Sequence, residues 1–128
     1  MLGGPSGATP PRILIVDDDP NLLVLLADQL RADGYEIATA RDGDEALRRL
    51  RASWPDLLII DMMMPRMDGW EFCRQIEQDR TLRDIPVVVL SAVPRESLQL
   101  WSAAAVLSKP FDYDALIRTL RLMNTKSA

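Results

Sequence analysis

Residues 57–69 read LLIIDMMMPRMDG: four apolar residues in a row, one aspartate, then a methionine-rich turn. A strand with one face in water alternates apolar and polar side chains, and this one does not. It reads as buried on both faces, the habit of strands in a parallel sheet covered by helices. RILIV at 12–16, PVVVL at 86–90 and AAVLS at 104–108 share the pattern, whereas YEIATA at 35–40 alternates. Between these runs the apolar spacing changes to that of helices. Leu22, Leu23, Leu26 and Leu30 recur at helical spacing after Asp19, a cap, and Pro20, suited to the first helical position, and Gly34 stops the helix. DGDE at 42–45 and DGWE at 68–71 read as capping boxes, each opening a helix. A short helix is expected over about 95–103, and FDYDALIRTLRLM at 111–123 is a last amphipathic helix with Asp112 as its cap.

Strand and helix thus alternate five times. The expectation is a flavodoxin-like (βα)5 doubly wound parallel sheet in the order 2-1-3-4-5, with its switch point between strands 1 and 3. The folded unit is expected over 12–123, between a Gly- and Pro-rich tail at 1–11 and a short tail at 124–128.

Composition removes several kinds of chemistry. The chain has 128 residues, enough for one domain with a real core, and a net charge of −4, which offers no basic field to nucleic acid. It has no histidine, so a histidine-based triad, a histidine-ligated zinc and a phosphohistidine on this chain are excluded. The lone Cys73 cannot form an internal disulfide, which fits a reducing cytoplasm. No apolar run approaches the roughly 18 residues of a membrane span. MLGGPSGATPP lacks the basic and apolar regions of a secretory signal.

What remains gathers at one edge. The first strand ends in Asp17 and Asp18, the third in Asp61, the fourth in Ser91, and the fifth leads into Lys109. In a 2-1-3-4-5 sheet these ends share the rim where ligands bind. Alone, each has a plainer reading: DDD as a helix cap or solvated turn, Ser91 as a cap, the three methionines at 62–64 as packing. Together they make a site. Close carboxylates repel, a divalent cation neutralises them, and an all-oxygen set favours magnesium or manganese. A carboxylate is also a nucleophile toward phosphorus, and Lys109 and Ser91 are donors for the transferring group.

The stretches ILIVDDDP, DLLIIDMMMPRMDG, VVVLSA and LSKPF, in this order, are similar to the receiver domain of response regulators in two-component systems. The resemblance covers about residues 12–123. It implies that Asp61 is the phosphoacceptor and that Asp18 and Asp61 ligate Mg2+ (or Mn2+) with the backbone carbonyl of Met63. Asp17 would act mainly through a metal-bound water. Ser91 would hold a phosphoryl oxygen, and Lys109 would pair with Asp61 and then with the phosphate. A cis bond before Pro110 is also implied. The phosphoryl donor would be a sensor histidine kinase, a phosphotransfer protein or a small donor such as acetyl phosphate. The receiver would catalyse only its own phosphorylation and dephosphorylation. A downstream protein or output domain, or a homodimer partner, would read the result, with no nucleic acid or membrane bound directly. MNTKSA follows the last helix directly, so no output domain is expected on this chain.

Two departures concern output. Val106 stands where receivers commonly carry Tyr or Phe, and residues 92–108 between Ser91 and Lys109 are several fewer than usual. The fourth helix is therefore expected to be short, displaced or irregular, and Pro94 limits where it begins. Trp101 in this segment reads as packing over the sheet edge, with a partner contact as the other reading. The alternative function is a non-switching, receiver-like interaction module. A haloacid-dehalogenase phosphatase would want an acid two residues after the nucleophile, where Met63 stands. A flavin site would want a phosphate loop after the first strand, where DDDPN would repel phosphate without a metal.

Overall fold

The computed structural model describes residues 10–61, 69–91, 104–108 and 112–127. Its five strands are β1 (Arg12–Val16), β2 (Glu36–Ala40), β3 (Leu57–Asp61), β4 (Val87–Ser91) and β5 (Ala104–Ser108). All pairings are parallel, in the order β2-β1-β3-β4-β5, as the sequence leads one to expect. Among the described residues there are four helices: α1 (Pro20–Ala32), α2 (Gly43–Ala52), α3 (Gly69–Gln78) and α4 (Tyr113–Ser127). The short helix expected over about 95–103 lies outside the described residues, as do Trp101 and Pro94.

Successive strand residues point to opposite faces, and the core divides accordingly. Leu14, Val16, Leu58, Ile60, Val87 and Val89 pack with Ala46, Leu47 and Leu50 of α2 and Phe72, Cys73 and Ile76 of α3. Ile13, Ile15, Leu57, Ile59, Val88 and Leu90 pack with Leu23, Leu26, Ala27 and Leu30 of α1 and Leu116, Ile117 and Leu120 of α4. Each central strand therefore feeds two cores. That is why β3 and β4 are buried at all five positions and need no alternation. The edge strand β2 is more open: Ile37 is buried in one core and Ala40 in the other, while Glu36 and Ala38 are exposed.

The helix ends follow local chemistry. Asp19 Oδ1 accepts from the amides of Asn21 (3.0 Å) and Leu22 (3.4 Å), and Pro20 occupies the first helical position of α1. At the other end the Gly34 amide donates to Arg31 and the Tyr35 amide to Leu30, with Gly34 at φ 99°. This is a Schellman closure, which needs the left-handed backbone that glycine adopts without a Cβ penalty. Asp42 caps α2 through the Glu45 amide (2.8 Å). The Glu45 carboxylate accepts from the Arg41 amide (2.7 Å) rather than from Asp42, a capping box shifted by one residue. Asp112 caps α4 through the Ala115 amide (2.7 Å), and the helix runs four residues past its expected end at 123. Asp68, the expected cap of α3, lies outside the described residues.

Candidate functional site

Register fixes what meets at the carboxyl ends of the strands. Val16 pairs with Ile60, so Asp17 and Asp61 follow on neighbouring strands at the same level. The Asp17 amide donates to the Ala40 carbonyl of β2 (3.0 Å), which holds this residue to the sheet beyond β1. Asp61 pairs with Leu90, so Ser91 lies one step further on, and Ser91 itself pairs with Ser108. Lys109 is the next residue in the chain after Ser108. Across the sheet the strand ends thus present a carboxyl, a second carboxyl and a hydroxyl in succession.

Burial sets these three apart. Asp17 is 1% exposed, Asp61 4% and Ser91 1%, and they are the buried polar side chains among the described residues. Burying a carboxyl group is expensive, and apolar packing gives no reason for it. All three nevertheless occupy the last or next position of a strand whose preceding residues are core. Asp18 is half-buried beside them and Asp19 exposed. Asp17 Oδ1 accepts from the Asp19 amide (2.9 Å), an Asx turn that orients the Asp17 carboxylate. Sequence reasoning gave Asp19 only its capping role and missed this bond, although an aspartate two residues before a capping aspartate is its visible signal.

Met63, Lys109 and Pro110, expected in the site, lie outside the described residues. The donors that are described are all hard oxygens, the set Mg2+ prefers over soft or nitrogen-loving metals. Among the described residues no three acids, thiols or imidazoles are gathered into a ready-formed metal cage. Magnesium typically takes one or two carboxylates and keeps several waters, and Asp17, Asp18 and Asp61 carry carboxylates. The donor chemistry fits the ion.

Other places in the fold are poorer in chemistry. A cavity of about 140 Å3, lined by Arg12, Glu36, Arg49, Ser53 and Pro55 among others, opens at the amino ends of β1 and β2, opposite the carboxylates. Its guanidinium groups are engaged: Arg12 with Glu36 and Ser53, Arg49 with Glu45. Cys73 is buried on α3, and burial, helped by the nearby Glu77 charge, pushes its thiol up to about 12. It is a core side chain held neutral, not a nucleophile.

The model of the response regulator receiver domain family matches residues 13–121. The alkaline phosphatase synthesis transcriptional regulatory protein PhoP of Bacillus subtilis is 37% identical over 105 residues, which are 78% of this chain and 42% of that protein. The response regulator PleD of Caulobacter vibrioides is 39% identical over 114 residues, 86% of this chain and 25% of that protein. The chain thus spans less than half the length of these two relatives. Among solved structures, chemotaxis response regulator CheY4 of Vibrio cholerae superposes with a TM-score of 0.82 at 32% identity, over 90% of this chain and 99% of that one. TrrA of Thermotoga maritima, in complex with Mg(2+)-BeF, gives a TM-score of 0.78 at 36% identity, over 88% of this chain and 98% of that one.

Proposed function

The chain belongs to the response regulator receiver domain family, and from that premise we propose that it is a magnesium-dependent phosphoacceptor switch of a two-component system. The observation that carries the reading is the burial of Asp17, Asp61 and Ser91, and of no other described polar side chain, at three neighbouring strand ends. Asp61 is the nucleophile. One of its carboxylate oxygens attacks the phosphorus of a phosphohistidine on a sensor kinase or phosphotransfer protein. The phosphorus–nitrogen bond breaks, the imidazole leaves, and an aspartyl phosphate remains. Hydrolysis of that anhydride returns the free carboxylate.

Asp18, Asp61 and the Met63 carbonyl would hold Mg2+, with Asp17 acting through bound water. The ion supplies neutralisation of charge on the phosphoryl oxygens. Ser91 donates to one phosphoryl oxygen and Lys109 to another, donors aimed at charge that grows during transfer. A related receiver in complex with Mg(2+)-BeF supports the ion as magnesium. The receiver unit is assigned to residues 12–123, in the cytoplasm, and its partners are proteins: a phosphodonor upstream and an output domain or target protein downstream. Among the described residues no helix is long and apolar enough to cross a membrane.

One observation keeps a second reading in play. Val106, where receivers commonly carry an aromatic, is part-buried against the core packed beneath α2 and α3. A chain without that aromatic could bind partners in one state only, as a receiver-like interaction module. Intact mass spectrometry separates the two readings. With acetyl phosphate or phosphoramidate and Mg2+, the switch gains a single phosphoryl group, lost with EDTA and in Asp61→Asn. The module binds Mg2+ and gains none.

A further inference from the structure

Asp19 ends the DDD run, and its contacts give it a part that neither a ligand nor a plain cap would have. The Asp17 amide is anchored to Ala40 of the sheet, and the Asp17 carboxylate accepts from the Asp19 amide. Asp19 in turn takes up the start of α1. Its carboxylate accepts from Asn21 and Leu22, and its carbonyl from Leu23 (3.0 Å). Pro20 has no amide hydrogen to offer. One residue thus satisfies the donors of the first helical turn while its own amide fixes the neighbouring carboxylate.

Removing the Asp19 side chain would open the Asn21 and Leu22 amides at the positive end of the helix dipole. The anionic side chains adjacent in the chain are Asp17 and Asp18. We infer that Asp19 is a positioning residue of the cation site: by occupying the α1 terminus it keeps that terminus from drawing Asp17 and Asp18 away from the rim. The inference rests on the proposed magnesium site. What matters is the acceptor oxygen and not the charge. Asn and Ser, which cap helices as well as Asp does, replace it, and Ala and Gly do not.

Calorimetric titration with Mg2+ in about 0.15 M KCl, where distant exposed charges are screened, reads the effect directly. Asp19→Ala raises the Mg2+ dissociation constant about fivefold or more, a loss on the scale of one missing cap. Asp19→Asn and Asp19→Ser stay within about twofold of the parent chain, since they keep the cap. Asp19→Gly, which leaves the helix start nearly as stable but offers no side-chain acceptor, behaves like Ala and covers the case in which Ala fails to fold. Asp42→Ala removes a comparable cap, at α2, without changing the constant. Hydrogen exchange at the Asp19 amide quickens in the Ala variant with and without Mg2+.

Unchanged affinity in both the Ala and Gly variants overturns the inference. So does a loss in Asp19→Asn equal to that in Asp19→Ala, which would assign the effect to charge. A parent chain that binds no Mg2+ brings down the magnesium site as well as this inference. A parent that binds while all Asp19 variants match it brings down the inference alone.

Discussion

Asp61 and Ser91 are buried to nearly the same degree, yet their proposed tasks predict different losses. Asp61→Asn removes the nucleophile and leaves no adduct at any time. Ser91→Ala removes one donor to a phosphoryl oxygen and leaves the nucleophile intact. Its adduct still forms, at a rate lower by on the order of tenfold or more, read from a mass-spectrometric time course. An unchanged rate in Ser91→Ala would make the hydroxyl a mere strand-end residue. Cys73 gives a pH prediction. Its thiol is raised from 9.0 to about 12 in the folded chain, by burial first and the Glu77 charge second. Below pH 9 both states keep the proton, and above it the unfolded chain releases the proton first. Stability therefore falls as pH rises from 9 towards 12. Tyr113, raised by burial and by its bond to Asp33, acts with the same sign. Urea midpoints between pH 8 and 11 should fall less steeply in Cys73→Ala than in the parent. A parallel profile would mean that the thiol titrates alike in both states.

Helix ends are the most sharply testable parts of the fold. Gly34 at φ 99° has open space where a Cβ would stand, so Gly34→Ala costs backbone strain alone, about 1 kcal/mol by chemical denaturation. A neutral Gly34→Ala would mean that α1 closes in another way. The strands were legible in the sequence because β3 and β4 sit between two cores and allow no polar residue before the last position. The caps Asp19, Asp42 and Asp112 were legible because a short acceptor before an apolar period has few other uses. The far end of α4 was not, since its apolar spacing stops near Met123 while the backbone stays helical through Asn124–Ser127 with no glycine or proline to end it. The shifted capping box at Glu45 was hidden too, because a carboxylate on a flexible stem reaches the Arg41 amide as easily as that of Asp42. In the site, Asp17, Asp61 and Ser91 could be read as strand ends. The Asp19–Asp17 bond left only the two-residue spacing of the aspartates as a signal, because turn geometry decides it and apolar spacing does not.

For the protein as a unit, the proposed cation site ties binding to stability, because an ion held only by the folded chain would stabilise it by mass action. At a hundredfold excess over the dissociation constant Mg2+ should add about 2.7 kcal/mol, several degrees in Tm, reversed by EDTA. Asp17→Asn should lose most of that shift, and a shift equal to the parent's would remove Asp17 from the site. The chain has a net charge of −4, and a cation bound beside Asp17 and Asp61 would offset part of the repulsion between their carboxylates. The central claim is narrower than magnesium binding: among three neighbouring acids, Asp61 alone accepts the phosphoryl group. Hydride reduction of the phosphorylated chain converts an aspartyl phosphate to homoserine, which tandem mass spectrometry of the peptides then locates. Homoserine at position 61 and nowhere else is the predicted result. Homoserine at position 17 or 18, or an adduct that survives in Asp61→Asn, would contradict it.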